Sequence, residues 1–185
     1  REALHQGNRL RQAQPDQERY LQGQGLESLA CLQYTGGTTG VSKGARLSHA
    51  NLLSNVEQAY LFCRHRIDDG KEVVLAPLPL YHVFAFTVNL LTFFRTGAHT
   101  VLIPSPRPMS NLKAAFKKFP ITWMTGVNTL YAALLNEPWF KDAPPKQMKV
   151  AIAGGAALHG AVSEKWRALL GDPVTEGYGL TETSP

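Results

Sequence analysis

Short apolar runs alternate with longer amphipathic stretches along the chain from Leu26 onward. The runs have the length of buried strands, and the stretches have the apolar spacing of helices. This alternation predicts βαβ units with right-handed crossovers, and therefore an α/β fold of layered, largely parallel sheets with helices on both faces. The expected strands are Leu29–Tyr34, Glu72–Ala76, Thr100–Ile103, Ile121–Met124, Val150–Ala153 and Val174–Glu176, and the expected helices are Ser48–Cys63, His82–Arg95, Ser110–Phe119, Val127–Asn136 and Gly160–Leu170.

Composition divides the 185 residues into two parts. Residues 1–25 are rich in Gln, Arg and Glu and predict a peripheral helix and linker, whereas residues 26–185 predict one globular unit. The chain does not begin with Met and stops just after a dense motif. We interpret it as a piece of a longer protein.

Several classes of protein are disfavoured by composition. The net charge of +5 comes without a basic run interleaved with aromatics, so no nucleic-acid partner is expected. Cys31 and Cys63 have no metal-ligand spacing and are too few for a disulfide framework, which favours a reducing compartment. The apolar run Val83–Phe94 is too short to span a bilayer. We therefore expect a cytoplasmic protein.

The segment Thr35–Gly44 reads Thr-Gly-Gly-Thr-Thr-Gly-Val-Ser-Lys-Gly. Glycines allow the backbone to approach a ligand closely, and successive N–H groups in such a loop form a concavity that binds anions. The threonine and serine hydroxyls can donate to phosphate oxygens, and Lys43 adds a positive charge. A flexible surface turn would need neither the hydroxyls nor the lysine. The segment therefore predicts a phosphate-binding loop.

This loop differs from the mononucleotide P-loop, in which Lys-Ser/Thr opens a helix. Here Gly44 follows Lys43, and residues 45–47 have an extended pattern. We expect a strand–loop–strand hairpin, with Ser48 capping the next helix.

Two segments carry a resemblance to a known family. The stretch Tyr34–Gly44 resembles the signature of the AMP-forming adenylating superfamily, which includes acyl-CoA synthetases, luciferases and peptide-synthetase adenylation domains. Gly177–Thr183, with the sequence Gly-Tyr-Gly-Leu-Thr-Glu-Thr, is similar to a second motif of that superfamily. Gly36 stands where Ser is frequent and Ser42 where Pro is frequent, which leaves the role of each hydroxyl open.

The resemblance implies a role for each matching residue. Tyr178 would stack on adenine, Thr181 would bind near the α-phosphate, and Glu182 with Thr35 would hold Mg²⁺, a hard cation that takes carboxylate and phosphate oxygens. Lys43 would contact the pyrophosphate end of ATP. The nucleotide-binding residues implied in this way are Tyr34, Thr35, Gly36, Gly37, Thr38, Thr39, Gly40, Lys43, Gly154, Gly155, Ala156, Gly177, Tyr178, Gly179 and Thr181.

Two weaker segments complete the predicted site. Ala153–Leu158 resembles the part of the superfamily where small side chains admit adenine, although it would also suit close helix–sheet packing. Leu78–Phe84 resembles the part where an aromatic residue and a histidine stand between the phosphate and carboxylate sites. That comparison makes His82 a catalytic candidate beside Lys43 and Glu182, with a helix cap or a packing role as the alternative.

The stretches Val83–Phe94 and Thr125–Tyr131 look most like bacterial long-chain fatty-acid–CoA ligases, where this region lines the acyl tunnel. Ordinary core packing is an equal alternative for any single residue here. The substrate-contacting residues implied by the resemblance are Tyr81, His82, Val83, Gly126 and Val127.

The resemblance implies ATP-dependent activation of a long-chain fatty acid to acyl-AMP and then acyl-CoA, with Mg²⁺ and CoA. Adenylation of an aryl or amino acid, or a non-catalytic nucleotide- or acyl-binding module, are the alternatives. The family's ribose-binding Asp, hinge and C-terminal catalytic Lys would lie beyond Pro185, so we expect this chain alone to be inactive. Acyl chain length, homodimer formation and peripheral contact with the inner membrane face stay open.

Overall fold

A computed structural model of the chain describes residues 23–35 and 43–184. The predicted linker at residues 1–25 lies almost wholly outside the described residues. So do Gly36, Gly37, Thr38, Thr39 and Gly40 of the predicted phosphate loop.

The predicted hairpin is present on both sides of this loop. Strands β1 (Leu29–Thr35) and β2 (Lys43–Ser48) pair antiparallel, with Thr35 opposite Lys43. Helix α1 (His49–Cys63) follows directly, and the Ser48 hydroxyl accepts a hydrogen bond from the Asn51 N–H at 3.2 Å. The Asn51 side chain accepts in return from the Ser48 N–H at 2.9 Å, which completes a capping box. The capping role predicted for Ser48 is confirmed.

A five-stranded sheet forms the centre of the fold, and all of its pairings are parallel. Its strands are β3 (Val73–Ala76), β4 (His99–Leu102), β5 (Trp123–Gly126), β6 (Val150–Ala153) and β7 (Val174–Glu176). Their order across the sheet is β4-β3-β5-β6-β7. The predicted α/β class with a largely parallel sheet is confirmed.

Four helices pack on one face of this sheet. They are α2 (Ser110–Lys118), α3 (Asn128–Asn136), α4 (Pro138–Asp142) and α5 (Gly160–Leu170). The sequence pattern predicts all of them except α4, which has proline at its first position, where the missing N–H costs nothing.

The other face is covered by α1 and by a π-helix at Ala85–Thr92, which continues as one α-helical turn, Phe93–Arg95. The sequence predicts one continuous helix at His82–Arg95. Its central part is observed as a π-helix, in which hydrogen bonds join residues five apart and not four apart. The Thr92 hydroxyl also donates to the Thr87 carbonyl at 2.9 Å, five residues earlier in the chain. In the described residues, no helix is both long enough and apolar enough to cross a bilayer.

Alternating side chains on the strands build the two layers of the core. Leu75 and Met124 are fully buried against the four-helix layer. Their neighbours Val74 and Trp123 point the other way and pack with Phe93. The period of two expected for a strand therefore gives a hydrophobic layer on each face, and the predicted helices on both faces are confirmed.

Candidate active site

A cavity of about 740 Å³ lies between the sheet, α1 and the π-helix. It gathers residues from every sequence motif singled out for nucleotide or carboxylate binding. The predicted site residues in its lining are Thr35, His82, Val83, Gly154, Gly155, Gly177, Tyr178, Gly179, Thr181 and Glu182. Since β6 and β7 are parallel, their carboxyl ends meet at one edge of the sheet, where such sheets bind ligands.

Backbone hydrogen bonds hold the strand-end segments side by side. The Gly177 N–H donates to the Ala153 carbonyl at 2.7 Å, and the Gly154 N–H donates to the Gly126 carbonyl at 3.2 Å. The ladder of the sheet thus continues one residue past the strands. The segments that begin at Gly154 and Gly177 are therefore neighbours in a fixed register.

The glycines at the end of β6 are required by their surroundings. A Cβ atom on Gly154 would lie 3.0 Å from Cζ of Phe84, and Gly155 has a φ of +78°. A left-handed backbone favours glycine. Ala156 follows in the chain but lies outside the cavity lining.

Tyr178 presents an aromatic surface at the cavity, with 92% of the residue exposed. Beyond it, the 3₁₀ turn Thr181–Thr183 lies beside β2. This contact brings Thr181 and Glu182 to the strand that carries Lys43. The second motif is thereby placed next to the strand that begins at the described end of the first loop, as a single nucleotide site requires.

The described ends of the predicted phosphate loop are held together. The Thr35 hydroxyl donates to the Lys43 carbonyl at 3.4 Å. The Tyr34 ring packs over Gly44, where a Cβ atom would be 3.5 Å from the ring. Tyr34 and Lys43 lie outside the cavity lining.

The segment containing His82 is anchored to the hairpin. The Gln33 side-chain amide donates to the Tyr81 carbonyl, and the His82 N–H donates to the Pro79 carbonyl at 3.0 Å. His82 is exposed and lines the cavity, whereas Val83 is buried. Tyr81 lies outside the lining and is 80% exposed.

Gly126 and Val127 also lie outside the cavity lining. A Cβ atom on Gly126 would come within 2.9 Å of the Tyr131 ring, and Val127 packs against the core of the four-helix layer. These positions favour the alternative of ordinary packing for both residues. The substrate role predicted for them stays a prediction.

An apolar wall formed by five side chains lines part of the cavity. Val88 and Phe93 come from the stretch Val83–Phe94 that the sequence singled out, whereas Phe62, Trp123 and Ile152 lie outside the sequence motifs. Phe93 and Trp123 meet edge to face with ring centroids 5.2 Å apart. The alternation of side chains in the strands is the signal that places Trp123 on this face with Val74.

An ionic cluster lies at the amino-terminal ends of the strands. Glu72 is 1% exposed, and its carboxylate accepts hydrogen bonds from Lys149 Nζ at 2.6 Å, from the Asp68 N–H at 2.7 Å and from the Thr122 hydroxyl. Burial, the largest single influence, raises the pKa of Glu72, but these hydrogen bonds and the lysine charge together lower it below its usual value. The hydrogen bonds with Asp68 and Glu72 raise the pKa of Lys149.

The donors at the other end of the cavity suit a metal that arrives with phosphate. In residues 23–35 and 43–184, no group of three or more His, Cys, Asp and Glu side chains could hold a metal ion. Glu182 offers one exposed carboxylate beside Thr181. One carboxylate fits Mg²⁺, which takes its remaining ligands from substrate phosphates and water.

Comparison with known proteins agrees with this geometry. The sequence profile of the AMP-binding enzyme family matches residues 2–185. The chain belongs to the AMP-binding enzyme family. A long-chain-fatty-acid–CoA ligase of Escherichia coli O6:H1 in this family is 43% identical over 185 residues. A long-chain-fatty-acid–CoA ligase of Haemophilus influenzae is 46% identical over 162 residues, or 86% of this chain and 29% of the relative. The match to the Escherichia coli protein covers 100% of this chain and 32% of the relative, so the chain spans about a third of the relatives' length.

Solved structures of the family have the same fold. ATP-bound MatB from Rhodopseudomonas palustris superimposes with a TM-score of 0.76 and 32% identity, covering 86% of this chain and 31% of that one. The o-succinylbenzoate CoA synthetase MenE from Bacillus subtilis, in complex with its acyl-adenylate intermediate, gives 0.75 and 26% identity, covering 88% and 32%.

Proposed function

We propose that the protein carrying this chain converts a long-chain fatty acid to acyl-AMP with MgATP and then to acyl-CoA with CoA. The observation that carries the proposal is the cavity itself, in which a glycine-rich end with Tyr178 and Glu182 adjoins the apolar wall. The names of the relatives support the same activity. Because the chain spans about a third of their length, the proposal concerns the natural-length protein.

The adenine ring would lie between the backbone of the Gly154–Ala156 segment and Tyr178. A base stacks well on an exposed aromatic face, and each of the two glycines presents backbone without a side chain. Gly177 and Gly179 flank the tyrosine and keep that surface open. The exposure of Tyr178 supports this assignment.

The phosphates would lie between the first loop and the Thr181–Thr183 turn. Lys43, the Thr35 hydroxyl and the loop residues Gly36, Gly37, Thr38, Thr39 and Gly40 would hold the β- and γ-phosphates. Glu182 and Thr35 would hold Mg²⁺. Fixed positive charges and donors stabilise the charge that develops when a carboxylate oxygen attacks the α-phosphorus and pyrophosphate leaves.

The carboxylate would approach past His82 and Tyr81, with its alkyl chain along the apolar wall and Val83. Burying apolar chain surface contributes about 25 cal/mol per Å², so this wall favours alkyl substrates over small acids. Gly126 and Val127 lie outside the cavity lining and would contribute to the substrate site indirectly, by holding β5 in place. In the second step the CoA thiol displaces AMP from the acyl carbon.

Membrane contact and homodimer formation belong to the same proposal. The exposed side chains of Leu53 and Phe94 line one groove and offer an apolar surface for either. Flotation with vesicles of anionic and zwitterionic lipid tests the first, and sedimentation of the natural-length protein tests the second.

A pyrophosphate-release assay tests the reaction. The natural-length protein is offered carboxylates from acetate to palmitate, together with benzoate and several amino acids. We expect release to be fastest with the long alkyl acids and acyl-CoA to form when CoA is added. Preference for an aryl or amino acid would replace the proposed substrate, and nucleotide binding without pyrophosphate release would indicate a non-catalytic module.

A further inference from the structure

Two consecutive backbone N–H groups just before α5 are held by side chains from a strand and from another helix. The Leu158 N–H donates to Oε1 of Glu176 at 2.9 Å. The next N–H, that of His159, donates to Oδ1 of Asn128 at 3.0 Å. Neither contact is local, because Glu176 is 18 residues from Leu158 and Asn128 is 31 residues from His159.

These contacts hold the residues just before α5 and do not cap the helix, because the two side chains accept from the N–H groups of Leu158 and His159, which precede its first residue. The first N–H groups of a helix have no partners within it, and a side chain just before the helix usually accepts from them. Within the described part of the chain, the His159 side chain makes no such bond, and the first turn of α5 has no acidic residue. The Glu176 carboxylate also places a negative charge near the positive end of the helix dipole.

The positions of the two acceptors give the contacts a further meaning. Asn128 begins α3 and is separated from β5 by Val127 alone, and Glu176 is the last residue of β7. The strand between them, β6, leads into the segment at 154–159. That segment is therefore held from both sides of β6, and its tie to β7 is next to Gly177 and Tyr178.

We propose that Glu176 and Asn128 are positioning residues that set the gap between the Gly154–Gly155 backbone and the ring of Tyr178. This gap receives a flat purine ring, and the assignment to adenine rests on the proposed function. The segment begins with two glycines, whose backbone has more freedom than any other residue. Its position is fixed by what it contacts, and the two side-chain acceptors are such contacts.

Four variants of the natural-length protein separate this role from general stability. Glu176→Ala and Asn128→Ala remove the acceptors, whereas Glu176→Gln and Asn128→Asp keep an oxygen in the same place. Each alanine variant should raise KM for ATP about fivefold to tenfold, as loss of one hydrogen bond to a charged or polar group predicts. KM for the fatty acid should change less than about twofold, because the gap that these residues set is assigned to adenine and not to the acid.

The conservative variants should restore KM for ATP to within about twofold of the parent, because their oxygens still accept from the same N–H groups. Glu164→Ala, on the exposed side of α5, is the matched control and should leave both KM values unchanged. A similar increase in KM for both substrates in the alanine variants would overturn the positioning role.

Two measurements do not depend on turnover. Hydrogen exchange of the peptide containing Leu158 and His159 should speed up in the alanine variants and return towards the parent rate in the conservative ones. Binding of ATP and of AMP by calorimetry should weaken equally in each alanine variant, because both nucleotides carry adenine.

These readouts keep the two proposals apart. Failure of the natural-length protein to release pyrophosphate with any acid would end the proposed function, and the positioning role would still be decided by exchange and nucleotide binding. Faster exchange with unchanged nucleotide affinity, or no nucleotide binding by the parent, would overturn the positioning role.

Discussion

The ring of Phe84 lies against the backbone of Gly154, so that a Cβ atom on the glycine would come within 3.0 Å of the ring carbon Cζ. Phe84 belongs to the segment that carries His82, and Gly154 directly follows β6. The contact therefore joins the part of the cavity assigned to the carboxylate with the part assigned to adenine.

Gly154→Ala should destabilise the protein and weaken nucleotide binding. The added methyl group overpacks this contact, and overpacking typically costs about 1–3 kcal/mol. Gly160→Ala is the matched control, because a Cβ atom there meets nothing within 4 Å. Urea unfolding of both variants measures the difference, and equal midpoints would show that Phe84 moves aside freely.

Tyr131→Phe should destabilise the protein by about 1 kcal/mol, because it removes a buried hydrogen bond. The Tyr131 hydroxyl donates to the Ile152 carbonyl at 2.8 Å and is fully buried, which raises the pKa of the phenol well above its usual value. Tyr60→Phe serves for comparison, since that hydroxyl is 3.5 Å from Asp69 at the surface. A loss for Tyr60→Phe as large as for Tyr131→Phe would contradict the assignment.

The Glu72 cluster predicts a particular dependence of stability on pH. Because the pKa of Glu72 is lowered in the folded protein, its contribution is present above the unfolded pKa of about 4.3. That contribution is lost as the pH falls through the folded value. The raised pKa of Lys149 has the opposite sense, so its contribution is lost only at alkaline pH.

Glu72→Gln should therefore reduce stability at pH 7 by about 1.5–3 kcal/mol, the usual worth of hydrogen bonds to a charged group. Its stability should also fall less steeply than that of the parent below about pH 4.3. Glu57→Gln removes the carboxylate of an exposed pair with Arg95 and should cost about 0–1 kcal/mol. If the stability of Glu72→Gln and of the parent fell equally steeply at acid pH, the stabilising role of the Glu72 cluster would be contradicted.

Glu182→Gln and Lys43→Ala test the phosphate assignments in the natural-length protein. Loss of a charge-assisted hydrogen bond is worth about 1.5–3 kcal/mol, so Glu182→Gln should slow adenylation at least about tenfold, with partial rescue by high Mg²⁺. Lys43→Ala should weaken the binding of ATP more than the binding of AMP, since AMP lacks the β- and γ-phosphates. Lys165→Ala in α5 is the control. Equal weakening of ATP binding and AMP binding by Lys43→Ala would contradict the assignment of Lys43 to the pyrophosphate end.

Local patterns predicted much of this fold from the sequence. The bounds of β6, β7 and α5 agree with the prediction, because each element carries its own pattern and ends beside glycine or a turn. Strand β5 begins at Trp123 rather than Ile121. The Thr122 side chain just before it bonds to the Val73 N–H of β3, a contact that no local pattern reports.

The features that the sequence did not predict depend on distant partners. Glu72 and Lys149 are 77 residues apart and meet only because β3 and β6 share one sheet. The apolar wall was predicted only in part, because Val88 and Phe93 lie in the stretch Val83–Phe94, whereas Phe62, Trp123 and Ile152 are brought to it by α1 and two strands. The shared position of the strand-end motifs could be predicted, because parallel strands bring their carboxyl ends to one edge of the sheet whatever lies between them in the sequence.

The π-helix has a consequence for insertions and deletions. Its turns hold more residues than α-helical turns, so one residue could be removed from 85–92 and the backbone could close into an ordinary α-helix. Because the wider turns hold the surplus residue, its removal would leave the later side chains close to their present orientation, and Phe93 would stay against Trp123. Such a deletion should therefore preserve helix content by circular dichroism and leave the preference for long alkyl acids close to that of the parent. The same deletion within 128–136 should unfold the protein, because α3 has no surplus residue. The π-helix would therefore accept a change in length that α3 would not.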